Sequence, residues 1–415
     1  MRSSSVYFVR SNTEKPEKTK MDYISQATKR DVDENGLIFA TDSLYEYLRK
    51  ITDKRQAKGK RYALATLLLI MVLAKLCGED KPSGICDWVG KRVRLLREMK
   101  ILQRPQAPCH MTYRRVLQNI VPADEWDQLL HDYHQQRLET EKEIIMTIDG
   151  KTVCGTIPPG EMRGTHLLTV YVPEQGLALV QAQVNQKENE IVVAPHVLKQ
   201  VNLQGAIVMG DAMHTQRETS RQIVEAGGDY LWFVKGNQAR TEWAIQKLFV
   251  HEMCNLRQGA AFNKDFQTYV QVSKGHGRLE IRTIFTSTWL NDYLDWPHVA
   301  QVFRLERIRW HPFFRGRTRQ VIYGLTSRPP ERSSPEHLLY LSRKYWGIEN
   351  GLHYRREVTF HEDATRMTIG NAGRNMAALN NLVIGLCLRA HGSNVAQARR
   401  HFSACPTDAL IALVS

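Results

Sequence analysis

Short apolar runs alternate with polar turns along most of the chain, and their spacing predicts the secondary structure. The β-branched run Ile144–Ile148 predicts a buried strand, which ends at Asp149 and is followed at once by Gly150. The stretch Gly205–Asp211 repeats the pattern, because a second apolar run again ends in an aspartate. The sequence therefore places two carboxylates at the ends of two predicted buried strands.

Asp149 and Asp211 are candidate metal ligands for this reason. A strand holds a side chain firmly, and a following glycine lets a ligand approach the backbone closely. If the two strands are neighbours, the two carboxylates can share divalent cations, since Mg²⁺ prefers oxygen ligands and a two-metal phosphoryl-transfer site holds its ions roughly 3.5–4 Å apart. A single such aspartate could equally cap a turn, and it is the repeated pattern that favours a metal site.

The elements around these two strands predict an α/β fold with a mixed sheet. The first three strands form an antiparallel meander, and the later strands are expected to be parallel. The sequence contains neither GxGxxG nor GxxxxGK[ST], so a nucleotide cofactor is unsupported. After the Asp149 strand, the predicted elements are two strands, a helix, a strand, a helix and a strand: Leu167–Val172, Leu177–Val184, Ala194–Val201, Gly205–Asp211, His214–Glu225 and Tyr230–Val234.

The region Leu44–Leu138 has helical periodicity throughout. Its most apolar stretch, Ala63–Leu76, is too short for a membrane span and predicts a buried helix. In the predicted helix His110–Ile120, the apolar positions face inward and leave Arg114 and Arg115 outside. Those two arginines suit contact with a DNA backbone, although a plain solvated face explains them equally well.

Charge points to a polyanionic partner. Lys and Arg number 57 against 43 Asp and Glu, giving a net charge of +14, which favours nucleic acid. The seven cysteines form no CxxC pairs and are expected to be free thiols in a reducing cytoplasm. The polar segment Met1–Gly36 predicts a disordered arm, and its first residues have no apolar core of a secretory signal.

Two more regions complete the chain. Strand-like segments between residues 267 and 326 predict a β-rich insertion with a basic face suited to phosphate neutralisation. In the predicted helix Ser334–Arg356, Glu349 shares a face with Trp346 and His353, and an acidic loop follows with Glu362 and Asp363. The basic residues of the insertion are Lys274, His276, Arg278, Arg282, Arg304, Arg307, Arg309, Arg315, Arg317 and Arg319.

An ordered series of short motifs resembles the H-repeat-associated transposases of bacterial insertion sequences, which belong to the DDE superfamily with an RNase H-like core. The helical region from about residue 55 to 120 resembles the amino-terminal associated domain of that family. The match spans roughly residues 40–400. The motifs are Asp149-Gly150-Lys151, Gly210-Asp211-Ala212 with Gln216, Phe233–Gln238, His276-Gly277-Arg278 with Arg282, and Trp346–Asn350 with Leu352-His353.

The resemblance implies a catalytic triad of Asp149, Asp211 and Glu349 that binds two Mg²⁺ ions, with Mn²⁺ as a substitute. It implies cleavage of double-stranded DNA at the ends of an insertion sequence and strand transfer into target DNA. Glu362 and Asp363 are the rivals for the third ligand. Two alternatives stay open: an RNase H-like nuclease without strand transfer, and a transposase-derived DNA-binding protein that no longer catalyses.

Further expectations concern DNA contacts and organisation. Lys151, Lys235 and His353 are candidate contacts to phosphate or the scissile strand, and Arg356 matches a basic position of the wider group. Tyr345 replaces the Arg or His that related transposases often carry four residues before the glutamate. A homodimer on DNA, a bacterial cytoplasmic location at the nucleoid and no membrane contact are expected. The predicted organisation is a disordered arm (1–36), a helical DNA-binding domain (37–140), the first part of an RNase H-like core (141–238), the β-rich insertion (239–333) and a helical completion of the core with Glu349 (334–415).

Overall fold

The computed structural model describes residues 29–185, 188–257, 264–275, 277–311, 316–392 and 394–415. Most of the predicted disordered arm lies outside these residues. Its end does not fit that prediction, because β1 (Arg30–Val32) pairs antiparallel with β2 (Ile38–Ala40). Asp33 closes the turn between them, since its Oδ1 accepts hydrogen bonds from the backbone N–H groups of Asn35 and Leu37.

The amino-terminal region is helical, as predicted. The apolar stretch of the sequence forms a helix in which all residues but Ala65 are buried, and a fully buried leucine stabilises a fold by about 1.5–3 kcal/mol. No helix among the described residues has both the length and the apolar content to cross a membrane. The six helices are α1 (Leu44–Arg49), α2 (Leu64–Leu76), α3 (Pro82–Gly90), α4 (Val93–Glu98), α5 (His110–Arg115) and α6 (Ala123–Gln135).

A nine-stranded mixed sheet forms the centre of the molecule and confirms the predicted α/β class. The strands are β3 (Ile145–Val153), β4 (Thr165–Val172), β5 (Leu177–Val184), β6 (Ile207–Gly210), β7 (Asp229–Val234), β8 (Gln267–Gly275), β9 (Arg278–Ser287), β10 (Gln301–His311) and β11 (Gly316–Thr326). Their order is β5-β4-β3-β6-β7-β11-β10-β9-β8. The first three strands form the predicted antiparallel meander, and β3, β6 and β7 run parallel.

The β-rich insertion continues this sheet instead of forming a separate one. It begins with a helix, α9 (Ala239–Arg257), and its last strand, β11, pairs antiparallel with β7, where Tyr323 lies opposite Val234. The core also crosses this boundary, because the rings of Phe233 and Phe303 pack edge to face. The four strands of the insertion therefore extend the central sheet by direct hydrogen bonding.

Ion pairs neutralise much of the basic face that was predicted for the insertion. Glu280 contacts three arginines and Glu306 contacts two, so five of these basic side chains already have a carboxylate partner within the sheet. His276 and Arg315 lie outside the described residues. The paired arginines are Arg282, Arg304, Arg307, Arg309 and Arg319.

The remaining helices flank the sheet and join the two ends of the chain. The long apolar helix α11 (Ala372–His391) contacts β4 and β5 on one side and the amino-terminal helices α2 and α6 on another. One hydrophobic cluster consequently contains residues between 37 and 133 together with residues between 348 and 413 and two from the sheet, Tyr171 and Ala178. These helices are α7 (Glu190–Leu198), α8 (Arg217–Glu225), α10 (Pro335–Tyr345), α11 (Ala372–His391), α12 (Val395–Ala404) and α13 (Pro406–Val414).

Candidate active site

Asp149 lies within β3, where the neighbouring strands diverge. The parallel pairing of β3 with β6 ends at Ile148 opposite Gly210, while the antiparallel pairing with β4 continues to Val153. The prediction that the strand ends at Asp149 and turns away through Gly150 is therefore wrong. It fails because β4 continues to pair with β3 after β6 has ended. Asp149 still lies at the edge where the carboxylates were expected to meet, directly after the last residue of β3 that pairs with β6.

Asp211 comes directly after the last residue of β6, so it lies at the same edge of the sheet as Asp149. It caps the short 3₁₀ turn that follows. Its Oδ1 accepts hydrogen bonds from the backbone N–H groups of Met213 at 2.9 Å and His214 at 3.3 Å. These two bonds fix the orientation of the carboxylate at the carboxyl end of the strand.

Glu349 comes from a distant part of the sequence and lies near the same edge of the sheet. It begins a π-helical turn, Glu349–His353, that follows α10, and π-type turns are frequent at functional sites. Its Oε2 lies 3.9 Å from His353 Nδ1, which in turn lies 3.4 Å from Asp149 Oδ2. One possible ligand atom from each of these three residues lies within 4.8 Å of the other two.

The electrostatics of Asp149 reflect this crowding. Burial raises the pKa of its carboxyl to about 8, and the negative charges of Glu349, Glu190 and Asp211 add to the increase. Carboxylates held this close repel one another, so Asp149 resists ionisation until a cation is present. The arrangement is electrostatically costly without a positive charge between the carboxylates.

His353 lies in the interior of the site and is neutral. Burial, together with the nearby charges of Arg356 and Lys151, lowers the pKa of its imidazole to about 3. Its Nε2 is buried and has no hydrogen-bond partner in the described structure. The predicted contact of His353 with phosphate or the scissile strand stays a prediction, and in the structure its imidazole lies against Asp149.

A fourth carboxylate, that of Glu190, lies beside the site and was not predicted from the sequence. Glu190, in the first turn of α7, accepts hydrogen bonds from His166 Nε2 at 2.7 Å and His214 Nε2 at 3.0 Å. Burial raises the pKa of Glu190, but the bonds to the two histidines outweigh it and lower the pKa to about 2. A Cβ atom at Gly150 would lie 2.2 Å from Glu190 Oε1, so this carboxylate requires the glycine after Asp149. The only signal in the sequence was a helix start, Asn189 before Glu190, which is too common to indicate a site.

An open pocket of about 360 Å³ adjoins Glu349 and is lined by Lys151. The Lys151 ammonium lies 3.5 Å from Asp363 and 3.7 Å from Glu357, and its side chain is 13% exposed. Asp363 also accepts a hydrogen bond from the backbone N–H of Cys154. The carboxylate of Asp363, a rival for the third metal ligand, is therefore already paired with Lys151 and a backbone N–H group.

The structure corrects the predicted DNA contact by Arg356. This side chain is fully buried and pairs with Glu362 at 2.8 Å. Glu362, the second rival for the third ligand, also accepts a hydrogen bond from Asn380. Arg356 and Glu362 therefore pair with each other inside the helical region, where neither charge can reach DNA or a metal ion.

The other predicted contact residues differ in their surroundings. Lys235 is exposed directly after β7, and Arg114 and Arg115 are exposed at the end of α5. Tyr345, which replaces the basic residue of related transposases, is buried with its ring 5.1 Å from that of Phe233. Burial raises the pKa of its phenol, and the neighbouring carboxylates add to the increase, so this position is neutral.

Two protein-family models match this chain. A family model described as the transposase DDE domain matches residues 141–386, and a model of the domain associated with it matches residues 45–133. The H repeat-associated transposase candidate YhhI of Escherichia coli K12 is 26% identical over 354 residues, which cover 83% of this chain and 89% of that protein. An uncharacterised protein of Xanthobacter autotrophicus, encoded in the dhlA 3′ region, is 31% identical over 60% of this chain and 81% of its own length.

A solved structure is similar at a lower level. The cryo-EM structure of the piggyBac transposase synaptic complex with hairpin DNA matches with a TM-score of 0.39 and 9% identity. The match covers 95% of this chain and 75% of that chain.

Proposed function

Because the chain belongs to the family of transposases with a DDE domain, we propose that it cleaves DNA at the ends of an insertion sequence and transfers the freed strand into target DNA. The observation that carries the proposal is the meeting of Asp149 and Glu349, 200 positions apart in the sequence, at the sheet edge where Asp211 also lies. These three carboxylates are the proposed catalytic residues on an RNase H-like core.

The residues at this edge fit divalent cations, which the family generally uses. Two observations support the fit: the donors are mainly carboxylate oxygens, and burial together with the acidic neighbours raises the pKa of Asp149. We propose that Asp149, Asp211 and Glu349 hold two Mg²⁺ ions, with Mn²⁺ as a substitute. Bound there, the cations supply activation of the attacking oxygen and stabilisation of the leaving 3′-oxygen.

The residues around the proposed cations hold the three carboxylates in position. The antiparallel pairing with β4 fixes Asp149, and two backbone N–H groups fix Asp211, so both carboxylates are preorganised. Glu349 is half exposed on a helical turn and completes the site from the solvent side. The imidazole of His353 orients Asp149 and is also a proposed contact to phosphate or the scissile strand.

Lys151 and Lys235 are the proposed contacts to the DNA backbone near the site, and Arg114 and Arg115 are proposed contacts on the helical region. Lys151 faces the pocket beside Glu349, and the others are exposed. Positive side chains that neutralise phosphates release counterions, so affinity must fall as salt rises. Two ends of the element must be brought together, so we propose a homodimer on DNA.

The test uses a labelled duplex that carries one end of the element, with Mg²⁺ and a target plasmid. We expect the protein to nick the end and to join it to the plasmid. Asp149→Asn and Glu349→Gln should lose both products and keep DNA binding, because these carboxylates serve the cation and not the phosphate. The matched control is Asp292→Asn, an exposed aspartate, which should retain both products.

The products also separate the alternatives. Cutting without any joined product would identify a nuclease without strand transfer. Binding of the duplex by the wild-type protein without cutting would identify a DNA-binding protein that has lost catalysis. Cutting that survives in Asp149→Asn would refute the proposed set of carboxylates.

A further inference from the structure

A second group of metal-ligating side chains lies at the junction of the last three helices. His401 is on α12, Cys405 is the residue between α12 and α13, and Asp408 is in the first turn of α13. One possible ligand atom from each lies within 4.8 Å of the other two. His391, the last residue of α11, places its ring centroid 4.6 Å from that of His401. The nitrogen, sulfur and oxygen donors of His401, Cys405 and Asp408 therefore lie close together, and the ring of His391 packs beside them.

We propose that His391, His401, Cys405 and Asp408 form a structural Zn²⁺ site. Zinc takes four ligands of these types in a tetrahedron, and a thiolate with imidazoles discriminates against hard cations such as Mg²⁺. Bond lengths of about 2.0–2.3 Å put neighbouring ligand atoms roughly 3.3–3.8 Å apart, so closure of about 1 Å brings the donors of His401, Cys405 and Asp408 to this spacing, and a rotation of the neighbouring His391 ring is required for the fourth ligand. None of the four residues belongs to the DDE site.

An ordinary ion pair accounts for only half of this group. His401 Nε2 lies 2.9 Å from Asp408 Oδ2, and that contact alone would link α12 to α13. It does not involve the thiol of Cys405 or the ring of His391. A cation gives all four side chains one partner, which the ion pair cannot do.

The position of the site gives the metal a structural role. The helix α13 packs on α1 and α2, and α12 packs on α2 and α11. The apolar residues Leu410 and Leu413 belong to the hydrophobic cluster shared with the amino-terminal helices. A cation that joins α11, α12 and α13 therefore fastens the carboxyl-terminal helices as one unit against that cluster.

The test uses the full-length, untagged protein and Co²⁺ as a spectroscopic substitute for Zn²⁺. A cysteine ligand produces a thiolate-to-cobalt charge-transfer band in the near ultraviolet, which the carboxylates of the DDE site cannot produce. We expect this band in the wild-type protein, its removal by Zn²⁺ and its persistence in excess Mg²⁺. Cys405→Ser should lose it, and Cys254→Ser, which changes an exposed cysteine elsewhere in the chain, should keep it.

Thermal unfolding separates a structural site from chance binding. Zn²⁺ should raise the Tm of the wild-type protein and of Cys254→Ser, but not of Cys405→Ser or of the conservative variant Asp408→Asn. Absence of the band in the wild-type protein, or a band equally strong in Cys405→Ser, would overturn the proposal. Because Asp149→Asn leaves the carboxyl-terminal site intact, it should retain the band, so failure of the transposase proposal and failure of the zinc proposal give different results.

Discussion

Replacement of Asp149 by asparagine should stabilise the metal-free protein while it abolishes cleavage. In the unfolded chain this carboxyl loses its proton near its ordinary pKa of 3.8, whereas in the fold burial and neighbouring carboxylates raise the pKa to about 8. Between these two values the folded state binds more protons than the unfolded state. The free energy of unfolding of the wild-type protein therefore falls as pH rises. That of Asp149→Asn does not fall for this reason, because asparagine does not titrate.

The magnitude follows from the shift. One proton gives a slope of at most about 1.4 kcal/mol per pH unit, so the advantage of Asp149→Asn should grow from near zero at about pH 4 to a limit on the order of 5 kcal/mol at about pH 8. Water penetration and relaxation make that figure an upper bound. Above about pH 8 the difference should level off, since the carboxyl is then ionised in both states.

The assay is denaturant unfolding of both proteins in EDTA at several pH values from 5 to 9. The exposed Asp292 supplies the control, because Asp292→Asn should show no pH-dependent gain. Saturating Mg²⁺ should reduce the slope of the wild-type protein, because the cation replaces the proton as the partner of the carboxylate. A difference between wild type and Asp149→Asn that is constant from pH 5 to 8, or that shrinks over this range, would refute the electrostatic account of the site.

Three further predictions test the surroundings of the site. Arg356→Met should destabilise the fold by roughly 3–5 kcal/mol in chemical denaturation because it leaves Glu362 buried and unpaired, and Arg356→Met with Glu362→Gln should recover most of the loss; equal losses would argue against a buried pair. Glu190→Gln should remove stability that is fully present above about pH 4.5 and is lost as pH falls toward 2, so acid unfolding curves of wild type and variant should converge at low pH; parallel curves would contradict the lowered pKa. Arg114→Ala with Arg115→Ala should weaken DNA binding and reduce the slope of log affinity against log salt by about 2; an unchanged slope would remove both residues from the interface.

The pattern of apolar runs was sufficient to predict the sheet and its two aspartates. Strand-forming runs before Asp149 and Asp211 gave the strand positions, and the elements between them gave the mixed order of pairing. Helix limits were harder to predict. The helix expected at 194–201 begins at Glu190, so Pro195 lies inside the helix and not in its first turn, because Asn189 supplies the cap.

Side-chain direction near Glu349 could not be obtained from helical periodicity. In a regular α-helix, a residue seven positions after Glu349 lies on the same face, and Arg356 would then point toward the site. The segments Glu349–His353 and Arg355–Thr359 are π-helical, and each takes an extra residue per turn. The extra residues shift the phase of the helix, and Arg356 turns inward to Glu362.

Glu190 illustrates a different limit. Its role depends on His166 and His214, which come from β4 and from the turn after β6. No local sequence pattern links three residues on separate elements. Only the packing of α7 against the sheet brings Glu190 next to Gly150.

The hydrophobic cluster shared by the two ends of the chain has a consequence during synthesis. Nascent chains generally fold domain by domain from the amino terminus as they leave the ribosome. Here α2 packs part of its apolar surface against α11, α12 and α13, which are translated long after it. A polypeptide released before residue 348 leaves that surface of α2 exposed, so the helical region can be completed only after these three helices have been made.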